Sequence, residues 1–124
     1  MTIGKVTPNR EAATELTVTG LDGSIDITAV IDTGFTGYLT LPSDVIEELG
    51  LEWAGSEVGA LADGQVVELN AYIAHVTWQE LHREVIVLEA AGGPLLGMSL
   101  LYGYRLTLDV VEGGDVALER LGDS

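Results

Sequence analysis

Asp32, Thr33 and Gly34 are the residues best placed to do chemistry. They close the apolar run Ile25-Asp26-Ile27-Thr28-Ala29-Val30-Ile31 and are followed by Phe35-Thr36-Gly37. A strand that ends in a carboxylate, a hydroxyl and a glycine can hold one acid rigidly at a turn. Gly34 permits a tight turn and close approach of another backbone. Thr33 can hydrogen-bond locally and fix the loop. The chemistry on offer is acid–base work by a positioned carboxylate. The same three residue types also make ordinary turns, as Asp22-Gly23 and Asp63-Gly64 are expected to do.

The elements that must hold this acid read mostly as β. Alternation at Ile25, Ile27, Ala29 and Ile31 predicts the strand that delivers Asp32. Glu15 to Thr19 and Ser24 to Ile31 flank Gly20-Leu21-Asp22-Gly23, a hairpin signal. Tyr38 to Leu41 reads as a short strand. A short helix follows, with Ser43 as its N-cap, Val45, Ile46 and Leu49 facing the core, and Gly50 as its stop. Ser56 to Leu61 and Gln65 to Asn70 form a second hairpin. Ala71 to Trp78 and Glu84 to Leu88 are two further strands, with a turn over Gln79 to Arg83. A short helix over Met98 to Leu101 precedes a strand alternating at Tyr104, Leu106, Leu108 and Val110. Glu112 to Asp115 then turn the chain into Val116 to Leu121. Many short, evenly spaced strands predict a small closed barrel.

Three blocks, in this order, resemble one known family. Ala29-Val30-Ile31-Asp32-Thr33-Gly34-Phe35-Thr36-Gly37 is similar to the active-site loop of retropepsin-like aspartic proteases. Leu41 to Leu51 is similar to the strand-to-helix segment that follows it in microbial members. About sixty residues after the triplet, Pro94-Leu95-Leu96-Gly97-Met98-Ser99-Leu100-Leu101 resembles the segment leading into that fold's short helix. The resemblance covers roughly residues 14 to 110 and is nearest to a small prokaryotic branch in which Phe follows Asp-Thr-Gly. It implies a mainly β, single-lobe acid-protease barrel over residues 1–124, an aspartic endopeptidase activity, and no cofactor or metal. Asp32, Thr33 and Gly34 would be catalytic. Ala60, Leu61, Ala62, Asp63 and Gly64 would form the tip of a flap over substrate. Most family members carry Ala or Ser after the glycine. Phe35 could narrow the cleft, reshape a subsite, or pack beneath the loop.

One count then sets the assembly. Aspartic-protease chemistry needs two carboxylates sharing a proton across a water. The chain carries one Asp-Thr-Gly and is too short for two lobes. The second Asp32 would come from a second copy in a two-fold homodimer, and the resemblance implies that Thr33 braces the pair across the axis. Peptides or proteins are the implied substrates. The other class of reading is a module that keeps the fold and binds a partner chain without catalysis. A plain acidic β domain with an accidental triplet is a third.

Composition narrows the remaining classes. The chain has 124 residues, enough for one domain with a real core. Twenty acids face five bases, a net charge of −15, and no Lys or Arg lies between Arg10 and Arg83. Such a surface repels phosphates, so nucleic acid is not an expected partner. No apolar stretch approaches the ~20 residues of a membrane-spanning helix, and the first residues lack a signal-peptide core. A cytoplasmic protein is the expectation. There is no Cys, and His75 and His82 lack the companions a zinc site needs. His75 is expected to be packed or hydrogen-bonded and His82 solvated in a turn. Trp53 and Trp78 are expected in the core, and Tyr102 and Tyr104 are expected to pack after the short helix.

Overall fold

The computed structural model describes residues 1–60 and 64–122. Among them are ten strands and two short helices. The order is β1 (Thr2–Val6), β2 (Ala12–Gly20), β3 (Gly23–Ile31), β4 (Leu39–Leu41), α1 (Ser43–Leu49), β5 (Glu52–Ala60), β6 (Val66–Trp78), β7 (Leu81–Glu89), β8 (Leu95–Leu96), α2 (Met98–Leu101), β9 (Tyr104–Leu108) and β10 (Asp115–Arg120). Neither helix is long and apolar enough to cross a membrane.

The strands form one sheet in the order β5-β6-β7-β4-β8-β3-β2-β1-β10-β9. An additional pairing of β6 with β2, Val18 opposite Val76, joins the sheet to itself. The ring β6-β7-β4-β8-β3-β2 is therefore a closed six-stranded barrel. Closure removes most free edges and leaves β5 and β9 at the two ends of the order. Val18, Ala29, Leu39, Leu41, Val76, Val87 and Leu96 fill the interior and are fully buried. Trp78 is buried with them. Its indole N–H donates to Thr14 Oγ1 at 3.0 Å, and that hydroxyl donates to the Ile3 carbonyl at 2.8 Å. A buried indole needs such a partner, and this chain of bonds ties β6, β2 and β1 together.

The β2–β3 hairpin forms as its glycines predict, with Gly20 opposite Gly23. Gly50 ends α1 in the left-handed region, φ 63°, and its N–H returns to the Glu47 carbonyl. The cap at the other end differs from expectation. Pro42 is the N-cap, Ser43 is the first helical residue, and no side chain caps the helix.

Other departures concern faces and lengths. β6 is one strand of thirteen residues, covering two expected segments without a break at Asn70. Asn70 stays in the strand, opposite Ser56 of β5, and its amide also donates to Glu89 at 3.2 Å. The turn to β7 is tight, with Gln79 at φ 56°, so His82 lies in a strand rather than in a turn. His75 points to solvent from β6 rather than packing. Trp53 is 63% exposed, because β5 is an end strand with a neighbour on one side only. Tyr102 is 88% exposed, directly after α2.

Candidate active site

Asp32 is the first residue beyond β3. That strand runs parallel to β8, with Ile31 opposite Leu96. The pairing extends one step further, where the Asp32 N–H donates to the Leu96 carbonyl at 2.9 Å. The barrel therefore fixes the backbone of the acid from the side. The turn fixes its carboxylate. Gly34 N–H donates to Asp32 Oδ1 at 2.9 Å, and Phe35 N–H donates to the Asp32 carbonyl at 3.1 Å. An anionic acceptor makes such a bond shorter and stronger than a neutral pair would.

A second segment straps this loop down. Gly97 N–H donates to the Tyr38 carbonyl at 3.0 Å, Met98 N–H to the Phe35 carbonyl at 2.8 Å, and Ser99 N–H to the Gly37 carbonyl at 3.1 Å. Ser99 Oγ donates to the Thr36 carbonyl at 2.6 Å. The start of α2 is thereby stitched to the acid-bearing loop, residue by residue. The two segments approach too closely for a side chain between them. A Cβ on Gly97 would lie 2.3 Å from the Gly37 carbonyl oxygen and 2.6 Å from the Phe35 ring.

Phe35 is half-buried, and its ring faces Gly37 as well as Gly97. A Cβ on Gly37 would meet that ring at 2.7 Å. The two glycines are the space the ring occupies, so Phe35 folds back against its own loop. Asp32 is partly exposed, whereas Thr33 and Gly34 are open to solvent. The side-chain ion pairs among the described residues, Lys5–Asp115 and Arg105–Glu119, do not involve Asp32.

Two open grooves flank α2. One, of about 440 Å³, is lined by Thr33, Met98, Leu101, Tyr102, Tyr104 and Leu106 among others. The second, of about 420 Å³, is lined by Thr36, Tyr38, Arg83, Met98, Ser99 and Tyr102. Arg83 stacks over the Tyr38 ring at 5.0 Å and donates to its hydroxyl at 3.3 Å. Sequence reading passed over Arg83, Met98 and Tyr102 as site residues. Arg83 had a signal, as the first base after Arg10 in a strongly acidic chain. Met98 and Tyr102 are four apart, the spacing that puts two side chains on one helix face.

β5 and β6 form the hairpin assigned to a flap, with Ala60 opposite Val66. Leu61, Ala62 and Asp63 lie outside the described residues. Gly64 has φ 87°, a turn conformation that suits glycine. From Val66 to Asn70, β6 pairs with β5 alone, and its pairing with β7 starts at Ala71. That stretch is a two-stranded ribbon in which no residue of β6 from Val66 to Asn70 is buried, and Val58 and Val66 on it are exposed. Two-stranded ribbons are marginally stable by themselves.

No protein-family model matches the sequence, and no curated protein sequence matches it. Among solved structures, the protease of EIAV complexed with the inhibitor HBY-793 matches with a TM-score of 0.55. The match covers 76% of this chain and 88% of that one, at 15% identity. The fold is retropepsin-like. At this identity the likeness concerns architecture, and the chemistry has to be argued from the loop. Among the described residues, no group of three or more His, Asp or Glu is placed to hold a metal ion.

Proposed function

We propose that the chain is an aspartic endopeptidase that works as a homodimer, each copy supplying one Asp32. The observation that carries this reading is the immobilised carboxylate. Asp32 sits at the end of a barrel strand, oriented by the Gly34 N–H, on a loop tied to the start of α2. Among the described residues, no ion pair uses that carboxylate, and Asp32 is partly exposed rather than packed in the core. The retropepsin-like fold supports the reading, since the EIAV neighbour is a protease with an inhibitor bound. The Phe after Asp-Thr-Gly aligns the chain with the small prokaryotic branch, and a cytoplasmic location goes with that proposal.

In the proposed reaction a water lies between the two Asp32 side chains. The ionised carboxylate takes a proton from the water as its oxygen attacks the peptide carbonyl. The protonated one hydrogen-bonds the oxyanion that develops. A proton then passes to the leaving amine, the C–N bond breaks, and the pair returns to one shared proton. The turn bond from Gly34 keeps the carboxylate oriented, which removes reorganisation from the barrier. In this reading Thr33, exposed beside the acid, would contact its mate across the axis. Phe35 holds the loop from beneath. The β5–β6 ribbon would close over substrate, covering its exposed valines while expelling water.

A peptide library incubated from acid to neutral pH and read by mass spectrometry tests this. Wild type should cleave, and Asp32→Asn should not, with the fold of both intact by circular dichroism. Cleavage of the same bonds by Asp32→Asn would remove Asp32 from the chemistry. A folded wild type that cleaves nothing, yet retains library peptides, would favour the non-catalytic binding module.

A further inference from the structure

We propose that the open edge of β5 binds an extended segment of another protein as an added strand, a segment in which Lys or Arg alternates with apolar residues. β5 stands at one end of the sheet order and is bonded to β6 alone. Along its nine residues, alternate N–H and C=O groups therefore point to the open side. Proteins commonly blunt such an edge with short length, Lys, Pro or bulges. β5 has neither Lys nor Pro, and it is as long as the interior strands β2 and β3. Its register shifts once, between Trp53 and Gly55, and from Ser56 to Ala60 the pairing is regular. Over Val66 to Asn70, β6 has no neighbour but β5, so this hairpin lacks the third strand that gives a sheet independent stability.

Charge and alternation decide what kind of strand fits. Residues opposite one another on paired strands share a face. Glu52 lies opposite Ile73 and Glu57 opposite Leu69, on one face of the ribbon. Trp53 lies opposite Tyr72 and Val58 opposite Glu68, on the other. Glu52 and Glu57 are exposed, and no Lys, Arg or His of β6 stands opposite β5 to neutralise them. Trp53 and Val58 are 63% and 73% exposed. Along its edge β5 therefore offers carboxylates on one face and apolar side chains on the other. A strand laid beside it alternates in the same way. Its cations meet the two acids, and its apolar residues cover Trp53 and Val58.

A second copy of this chain does not fit the edge. Two β5 strands side by side would set Glu52 and Glu57 against the same acids of the mate. None of the ten strands among the described residues carries two Lys or Arg, so no other strand of a second copy supplies the cations either. The acids guard the edge against its own kind and leave it open to a strand of opposite charge.

A short, end-capped peptide of alternating Val and Lys is the probe, offered to full-length Asp32→Asn protein so that no peptide bond is cut. Fluorescence anisotropy of the labelled peptide gives its affinity, and amide hydrogen exchange locates it. Binding should slow exchange along β5. The double variant Glu52→Gln, Glu57→Gln, at two exposed positions, should weaken binding by roughly 10-fold. Replacing a central Val of the peptide by Pro keeps its charge and removes a strand donor, and should weaken binding at least as much. No binding, equal affinity of the Pro peptide, or indifference to the two Glu variants would overturn the added strand. So would displacement of the probe by a peptide that wild type cleaves, since that would put the probe in the cleft. None of these outcomes bears on Asp32 as the catalytic acid, which is read from cleavage by wild type alone.

Discussion

Gly97→Ala tests how the acid-bearing loop is held. Gly97 has φ −104° and ψ −178°, which any L-residue adopts, so the substitution carries no conformational strain. Reducing the freedom of the unfolded chain would by itself favour Ala by ~0.4–1 kcal/mol. The cost is one of space. The new Cβ would lie 2.3 Å from the Gly37 carbonyl oxygen, 2.6 Å from the Phe35 ring and 2.7 Å from the Phe35 carbonyl oxygen. Two of these three are backbone atoms, engaged in the bonds from Ser99 and Met98. They cannot move without lengthening those bonds. Overpacking of this kind costs ~1–3 kcal/mol, and backbone neighbours place it near the top of the range. The net expectation is a loss of about 2 kcal/mol in urea unfolding, with an unchanged denaturant slope. Gly37→Ala is the contrast. Its Cβ would meet only Phe35 ring atoms, so shrinking the ring with Phe35→Leu should restore most of the loss there, and little of it in Gly97→Ala. A Gly97→Ala protein as stable as wild type, or one rescued fully by Phe35→Leu, would refute the strap.

Other consequences are open to direct measurement. Trp78→Phe removes the indole donor and leaves the buried Thr14 hydroxyl without it, and it shrinks a filled core. A loss of ~2–3 kcal/mol is expected in the same assay, and a loss below ~0.5 kcal/mol would mean the buried bond contributes nothing. Burial, and then the negative charge and hydrogen bond of Glu89, raise the Tyr72 phenol above its ordinary value of 10.0. The neutral phenol is the favoured form in the folded state, so its contribution is complete below pH 10 and is lost as pH rises through the higher folded value. Ultraviolet titration of wild type against Tyr72→Phe should show Tyr72 ionising above its ordinary value, and Glu89→Gln should bring its midpoint down. An unchanged midpoint in Glu89→Gln would detach the two residues.

Much of this arrangement was legible from side-chain periodicity and turn chemistry. The alternation of β3 and the residues Asp32 to Gly34 give both the strand and the place where it stops. Gly50 gives the end of α1, and Met98 to Leu101 form α2 with the expected bounds. What escaped depends on neighbours distant in sequence. Asn70 reads as a break, but its pairing with Ser56 of β5 carries the strand through it. Trp53 and Trp78 are the same residue type, and only their strands' positions in the sheet decide that one is exposed and the other buried. Tyr102 looks like a core aromatic until α2 is seen to turn it outward. Phe35 was open between three roles, and the space left by Gly37 and Gly97 gives it a packing partner.

The shared dyad is tested most directly by subunit mixing. Wild type and Asp32→Asn are combined in varying ratio at constant total concentration, after exchange, and cleavage of one peptide from the library is followed. If each active site needs an Asp32 from both copies, mixed dimers are inactive and the rate falls as the square of the wild-type fraction. An equal mixture should then retain about a quarter of the wild-type rate, as random pairing in a two-fold dimer requires. A rate that falls in simple proportion, leaving about half, would mean that each copy works on its own Asp32 alone and would contradict the account.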